Sequence, residues 1–305
     1  MPDLTVKLGP LTLKNPVMTA SGTFGYGMEY EGFFPPEDLG AVVVKGVTTR
    51  QVHGNPTPRV VEVTSGMLNA IGLQGPGVDK FLHDDHYLPG LRKRGATVIV
   101  NIWGRSLEEY RDTAAQLDAE PEGISALEIN VSCPNVKEGG ISFSADPEKM
   151  AGVISAVRNA TKLPIITKLS PNGAIPVFAK AAEDAGSDMI SMINTIPAMA
   201  IDINTRRPIL ANVTGGLSGP CVKPVGIKAV YDAAKVVRIP IIGMGGICDW
   251  KDAAEYLIAG ASAVAVGTAT FTDPMAPIEV VKGLEAWLER IGAKSITEVI
   301  GSVTL

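Results

Sequence analysis

Short apolar runs return along this chain, and they constrain its fold more than any other feature. They occupy residues 16–20, 41–44, 97–100, 126–131, 165–168, 189–193, 239–243 and 263–266. Each has the length of a strand rather than a helix. Most are apolar throughout instead of alternating, as expected of parallel strands covered on both faces. Helix-period segments lie between several of them. One opens at Asp146-Pro147-Glu148, where a capping residue precedes a proline suited to the first turn. Others cover 175–185, 224–237, 250–259 and 278–291. Strands alternating with helices imply right-handed crossovers and a parallel sheet. Eight such strands in 305 residues close most economically into a (β/α)8 barrel, with a doubly wound open sheet as the alternative. Residues 4–6 and 11–13 flank Gly9-Pro10 and predict a small hairpin ahead of the barrel. No internal repeat or linker interrupts the pattern, so 1–305 is expected to form one domain. Two connections, 48–96 and 195–223, are long, and long barrel loops usually carry function.

Hydrophobic residues make up 46% of the chain and charged ones 19%, enough for a sizeable core and against disorder. The net charge is −5 and no Lys/Arg run occurs, which argues against nucleic acid as a main partner. Cys133, Cys221 and Cys248 are scattered and form no CxxC pair. That usage implies a reducing compartment and no zinc or iron–sulfur cluster on this chain. No apolar run reaches the roughly 18 residues of a membrane span, and Met1-Pro2-Asp3-Leu4 does not open like a signal peptide. A soluble cytoplasmic protein with no membrane partner is the expectation.

A barrel places its active site at the C-terminal ends of its strands. There stand Ser21, Lys45, Asn101, Asn130 with Cys133, Lys168, Asn194-Thr195, Gly245-Gly246 and Gly267-Thr268. One polar strand end is ordinary; two lysines and three asparagines at equivalent ends are not. The fourth run is cut short by Pro134, which lacks the N–H a central strand needs. An amide therefore stands three residues before a thiol where strand becomes loop. A free cysteine is more often an inert buried residue than a reactive one. The following loop, 136–144, contains Gly139-Gly140 and is mostly small or polar, which suits a lid.

The last two strands end in Gly243-Met244-Gly245-Gly246-Ile247 and Val266-Gly267-Thr268. Glycines there expose backbone N–H groups at the usual phosphate position of a barrel. Neither GxxxxGK[ST] nor GxGxxG is present, so no nicotinamide domain is expected. Phosphate at the mouth together with Lys168 suits flavin mononucleotide (FMN), because an ammonium near the ring stabilises the negative charge of its reduced form. Asn69-Ala70-Ile71-Gly72-Leu73-Gln74-Gly75-Pro76-Gly77 forms a glycine-rich loop whose N–H groups could hold a carboxylate. Asn69, Asn130 and Asn194 could read a ring that offers both donors and acceptors, and Lys45 could pair with a carboxylate or with flavin.

These residues resemble those of a family, the catalytic subunits of bacterial dihydroorotate dehydrogenases. The resemblance runs through Ala20-Ser21-Gly22-Thr23-Phe24-Gly25, Lys45-Gly46-Val47-Thr48, Gly54-Asn55-Pro56, Asn69-Ala70-Ile71-Gly72-Leu73, Asn130-Val131-Ser132-Cys133-Pro134-Asn135, Thr214-Gly215-Gly216-Leu217-Ser218-Gly219 and Met244-Gly245-Gly246-Ile247. It implies a flavin-dependent (β/α)8 barrel that oxidises dihydroorotate to orotate in pyrimidine synthesis, with Cys133 as base. It implies flavin contacts from Ser21, Lys45, Gly46, Asn101, Asn130, Lys168, Ile193, Gly219, Gly245, Gly246, Gly267 and Thr268. It implies substrate contacts from Lys45, Asn69, Ala70, Ile71, Gly72, Leu73, Asn130, Asn194 and Thr195, and no metal site.

A cysteine base is similar to the soluble class, and Asn69-Ala70-Ile71-Gly72-Leu73-Gln74 to its NAD-linked subclass. That likeness implies a homodimer joined by a second subunit carrying FAD and a 2Fe–2S cluster, a heterotetramer overall. Trp103-Gly104-Arg105 and Ile196-Pro197-Ala198 depart from the pattern, which more often has smaller residues or glycine there. The alternatives are the fumarate-linked subclass, a dihydropyrimidine dehydrogenase-like domain, a Schiff-base aldolase using Lys168, and a non-catalytic flavin or orotate binder.

Overall fold

The computed structural model describes residues 1–131 and 145–304. In chain order the strands are β1 (Val6–Leu8), β2 (Leu11–Leu13), β3 (Val17–Thr19), β4 (Val42–Val47), β5 (Val60–Val63), β6 (Gly66–Asn69), β7 (Val98–Ile102) and β8 (Ala126–Asn130). There follow β9 (Ile165–Lys168), β10 (Met189–Met192), β11 (Ile196–Ala198), β12 (Ile201–Asp202), β13 (Arg207–Pro208), β14 (Gly215–Ser218), β15 (Ile241–Met244) and β16 (Ala263–Val266). The helices are α1 (Val78–His83), α2 (Leu88–Arg94), α3 (Leu107–Ala119), α4 (Pro147–Ala160), α5 (Ile175–Asp184), α6 (Lys223–Ala234), α7 (Trp250–Ala259) and α8 (Ala276–Ile291).

Eight strands pair in parallel in the order β3-β16-β15-β10-β9-β8-β7-β4. The two ends of that list meet: Met18 and Ala41 form a parallel bridge, and the Gly40 N–H donates to Val17 O at 2.8 Å. The Thr19 hydroxyl closes the seam, donating to Val43 O at 3.2 Å and accepting from Val43 N–H at 2.9 Å. The sheet is therefore a (β/α)8 barrel and not the open doubly wound alternative. Every residue of β3, β7, β9, β10, β15 and β16 is buried, which explains their unbroken apolar reading in the sequence. Helices α3 to α8 pack side by side in sequence order around the barrel. Their starts are chemically marked. The Ser106 and Asp146 side chains accept from the first turns of α3 and α4, and Asp249 forms a reciprocal capping box with Asp252 at α7.

The structure corrects the sequence reading in four places. The hairpin strand begins at Val6, two residues later than expected. Helices α1, α2 and α3 had not been assigned. Lys45 and Gly46 lie inside β4, and Asn101 inside β7, rather than after those strands, and the register of β4 against β7 slips between Val44 and Val47. The two long connections are also not loops alone. β6 from the first pairs antiparallel with β14 from the second, within a four-stranded sheet of order β11-β14-β6-β5. Leu68, Ala70 and Leu210 form a small second core on this sheet. Pro197 sits in its edge strand opposite Gly216, where a missing N–H costs no central ladder bond.

Candidate active site

The C-terminal ends of the barrel strands carry a connected polar network. Glu128 is its hub. It lies in β8 and is 1% exposed. One carboxylate oxygen accepts from Asn101 Nδ2 of β7 at 2.6 Å and the other from Ser191 Oγ of β10 at 2.8 Å. Lys168, at the end of β9 and 5% exposed, places its Nζ 3.8 Å from Glu128 and donates to Ser21 Oγ at 2.9 Å. A buried ammonium is costly in an apolar barrel unless paired and hydrogen-bonded, and both conditions hold here. Two residues beyond Glu128 along β8, Asn130 is the register partner of Lys168, and its Oδ1 accepts from Asn194 Nδ2 at 3.0 Å. The Tyr110 hydroxyl of α3 donates to Asn130 O at 2.6 Å and ties the end of β8 to the outer layer.

A second group lies where β15 and β16 end. Gly246 has φ +74°, and a Cβ there would stand 2.9 Å from Gly219 O and 2.8 Å from Lys223 Cβ. Gly219 has φ +100°, and its Cβ would stand 2.7 Å from Gly66 Cα. Three backbones thus approach with no side chain between them, which only glycine permits. Tyr256 pins this turn by donating to Gly245 O at 2.7 Å and Met244 O at 3.2 Å. Burial pushes its phenol pKa upward, so it remains a donor. Ile193 follows β10 and donates its N–H to Met244 O at 3.0 Å. Gly267 precedes a short 3-10 turn, and the Thr268 hydroxyl there donates to Ser218 Oγ at 2.8 Å. Lys223 beside the cradle is engaged with Asp252 and Glu255, each at 2.7 Å. The result is a cradle of backbone and hydroxyls, the composition expected of a phosphate site.

The third group is the 69–74 loop. Asn55 clamps it, donating from its N–H to Ile71 O at 3.0 Å and from Nδ2 to Ala70 O at 2.9 Å. Arg59 Nη2 reaches Gln74 Oε1 at 2.6 Å. This gives the Gly54-Asn55-Pro56 motif a physical role. Gly72 and Leu73 both have positive φ, +76° and +54°. A leucine held there stores strain of about 1 kcal/mol, which surrounding bonds must hold in place. Asn69 Nδ2 donates to Gly216 O at 3.4 Å, and a Cβ on Gly216 would fall 2.0 Å from Thr195 Oγ1. Residues 69 and 195, far apart in sequence, thus meet across β14.

Lys45 stands apart from Lys168. It borders a cleft of about 170 Å³ lined by Tyr26, His53, Gln74, Lys80 and Tyr87 among others. Burial pulls its ammonium below the ordinary 10.5, Arg59 adds repulsion, and Glu29 opposes the shift. The folded chain therefore holds this proton less tightly than the unfolded chain does. Stability rises with pH between the lowered folded value and 10.5, and below that window the charged lysine is a cost. Lys45→Met is accordingly expected to raise the melting temperature of the flavin-free chain at pH 7 by about 1–3 °C. The gain should shrink as pH rises through that window. A scan of melting temperature against pH checks both, and a gain independent of pH would assign the effect to packing.

Gly46 lies against Asn101 and Trp103, since a Cβ on it would stand 3.0 Å from Asn101 Oδ1 and 2.9 Å from Trp103 Cδ1. The unusual Trp103 is thus accommodated by a glycine. Its buried Nε1 has no partner among the described residues, and the Arg105 guanidinium lies 5.1 Å from its ring. Cys133 and the 136–144 loop lie outside the described residues. Sequence reasoning missed Glu128, Ser191, Tyr110, Ser218 and Tyr256. Glu128 had a signal, as the lone charge in an otherwise apolar strand, and Ser191 a weaker one of the same kind. Among the described residues no cluster of three His, Cys, Asp or Glu could hold a metal, and no helix is long and apolar enough to cross a membrane.

Comparison with known proteins adds to this geometry. The family model for dihydroorotate dehydrogenase matches residues 3–288. A dihydroorotate dehydrogenase B (NAD(+)), catalytic subunit, of Desulforamulus reducens is 53% identical over 304 residues, covering 99% of each chain. The protein of that name in Geobacter sulfurreducens is 52% identical over 303 residues, covering 99% of this chain and 98% of its own. That of Geotalea uraniireducens is 51% identical over 303 residues, with the same coverage. With such similarity along its whole length, and with a barrel mouth of this composition, the chain belongs to the dihydroorotate dehydrogenase family.

Proposed function

We propose that this chain is the catalytic subunit of an NAD-linked dihydroorotate dehydrogenase, oxidising (S)-dihydroorotate to orotate in pyrimidine (UMP) biosynthesis. The observation that carries the reading is full-length similarity to catalytic subunits of that name, and it favours the NAD-linked subclass over the fumarate-linked and dihydropyrimidine alternatives. The whole chain, 1–305, acts as one FMN-binding barrel domain in the cytoplasm.

The residues present suit FMN. Gly219, Gly245, Gly246, Gly267 and Thr268 would receive the phosphate in the glycine cradle. Ser21, Gly46, Asn101, Asn130, Lys168 and Ile193 would surround the ring. Bound FMN supplies a two-electron acceptor. Lys168, held by Glu128 and Ser21, presents positive charge to that part of the mouth. Asn69, Asn130 and Asn194 orient the substrate's amide and carbonyl groups, and Asn130 and Asn194 already hold each other in place. The N–H groups of 71–73, with Lys45 and Thr195, receive its carboxylate, while the Ala70 N–H donates to Arg59 O at 2.8 Å and shapes the start of the loop. The oxidation removes a proton and a hydride from adjacent carbons, and Cys133 takes the proton as base.

No dinucleotide fingerprint occurs in the chain, and three scattered cysteines cannot supply the four ligands of an ordinary cluster. Electrons therefore leave through a partner subunit bearing FAD and a 2Fe–2S cluster, docked on a homodimer of this chain. The purified chain loaded with FMN should reduce small artificial dyes with dihydroorotate and reduce NAD negligibly. Adding the partner should restore NAD reduction. Rapid NADH formation by this chain alone would overturn the partner assignment, and failure to reduce dye would overturn the reaction.

A further inference from the structure

Glu128 is a carboxylate at the centre of the barrel end, beyond reach of solvent, and the oxidation as derived above makes no use of it. Such a residue is rarely kept in a core without a specific arrangement of partners. Its two oxygens are divided. One takes the Asn101 amide at 2.6 Å and faces Lys168 at 3.8 Å; the other takes the Ser191 hydroxyl at 2.8 Å. Asn101 and Lys168 stand on strands flanking that of Glu128, and Ser191 stands one strand further on. A single side chain thus spans four consecutive barrel strands and fixes two groups that reach the mouth.

We propose that Glu128 is a positioning residue for the flavin: it aims Lys168 and Asn101 and offsets part of the positive charge that Lys168 offers the ring. This rests on the reading of the barrel mouth as an FMN site. The carboxylate opposes the electrostatic help that the ammonium gives to the negative reduced ring, so it holds the reduction potential below the value that an unpaired lysine would set. Glu128→Gln keeps the length and the acceptor for Asn101 and removes the charge. Lys168 then keeps its bond to Ser21 and faces the ring without compensation.

The experiment is a spectroelectrochemical titration of the FMN-loaded chain at pH 7. Glu128→Gln should move the two-electron equilibrium about tenfold toward reduced flavin, about 30 mV. In a Lys168→Met background the same substitution should move it by clearly less, because the aiming of the lysine is lost and only the direct repulsion between carboxylate and ring remains. A merely structural role would not depend on Lys168 in this way. Thermal unfolding of the four flavin-free proteins should likewise show non-additive losses. Should Glu128→Gln not fold, Glu128→Asp withdraws the carboxylate by one methylene and should shift the potential in the same direction by less. No shift in a variant that binds FMN, or an equal shift without Lys168, overturns the inference alone. Failure of the unaltered chain to bind FMN overturns the FMN reading and this inference with it.

Discussion

Cys133→Ala is expected to keep its yellow flavin and to lose flavin reduction by dihydroorotate by at least about 10²-fold. A free thiol has a pKa near roughly 8.5, so at neutral pH only a few per cent is thiolate unless its site lowers that value. A base in that range is well matched to taking a proton near neutral pH, and alanine offers neither lone pair nor charge in its place. Cys133 stands three positions after Asn130 in the sequence, and Asn130 has its amide fixed by Asn194 and its backbone fixed by Tyr110. Those contacts are made by residues other than Cys133, so removing its thiol should spare them. Anaerobic mixing of the FMN-loaded variant with dihydroorotate, followed as bleaching of flavin absorbance, is the measurement. Bleaching at the unaltered rate would remove Cys133 from its role.

Lys168→Ala carries the second large effect, and it acts on fold and function together. Truncation leaves Glu128 in the barrel interior with its two hydrogen bonds and no cation beside it. Breaking a buried pair from one side costs about 3–5 kcal/mol in measured cases, because the remaining charge is uncompensated. The flavin loses the ammonium that would oppose the charge of its reduced ring, so the reduction potential should fall or FMN should be lost. Chemical denaturation of the flavin-free variant and a potential measurement on the loaded one separate the two effects. Tight flavin, an unchanged potential and unchanged stability would make Lys168 a packing residue.

The barrel was legible because its strands are buried on both faces. A parallel strand inside a ring of helices must be apolar throughout, and residues 165–168 and 263–266 appear in the structure with the expected bounds. Strand ends were legible for the same reason. Ser21, Asn101, Asn130 and Lys168 interrupt apolar runs, and chain order alone puts them on one rim. The additional sheet was not legible. β6 and β14 are short and half-buried, contain glycine, and pair across well over a hundred residues. No local period marks such a pairing, because its stabilisation comes from a partner elsewhere in the chain. Helices α1 and α2 are too short for periodicity to stand out from their loops.

Residue types and their order along the chain determined the architecture, the rim on which a site would form and the chemical groups available to it, because burial on two faces and proline or glycine at strand ends are local constraints. Only the tertiary structure decided how those groups are used. It divided two lysines that look alike in sequence into one paired closely with Glu128 and one whose charge is disfavoured by burial and by Arg59, with only partial relief from Glu29. It joined Asn69 to Thr195 across β14, and it made Glu128 the hub of the barrel end. Those outcomes depend on barrel register, which sets which inward-facing side chains share a level, and register is a property of the closed sheet rather than of any one strand.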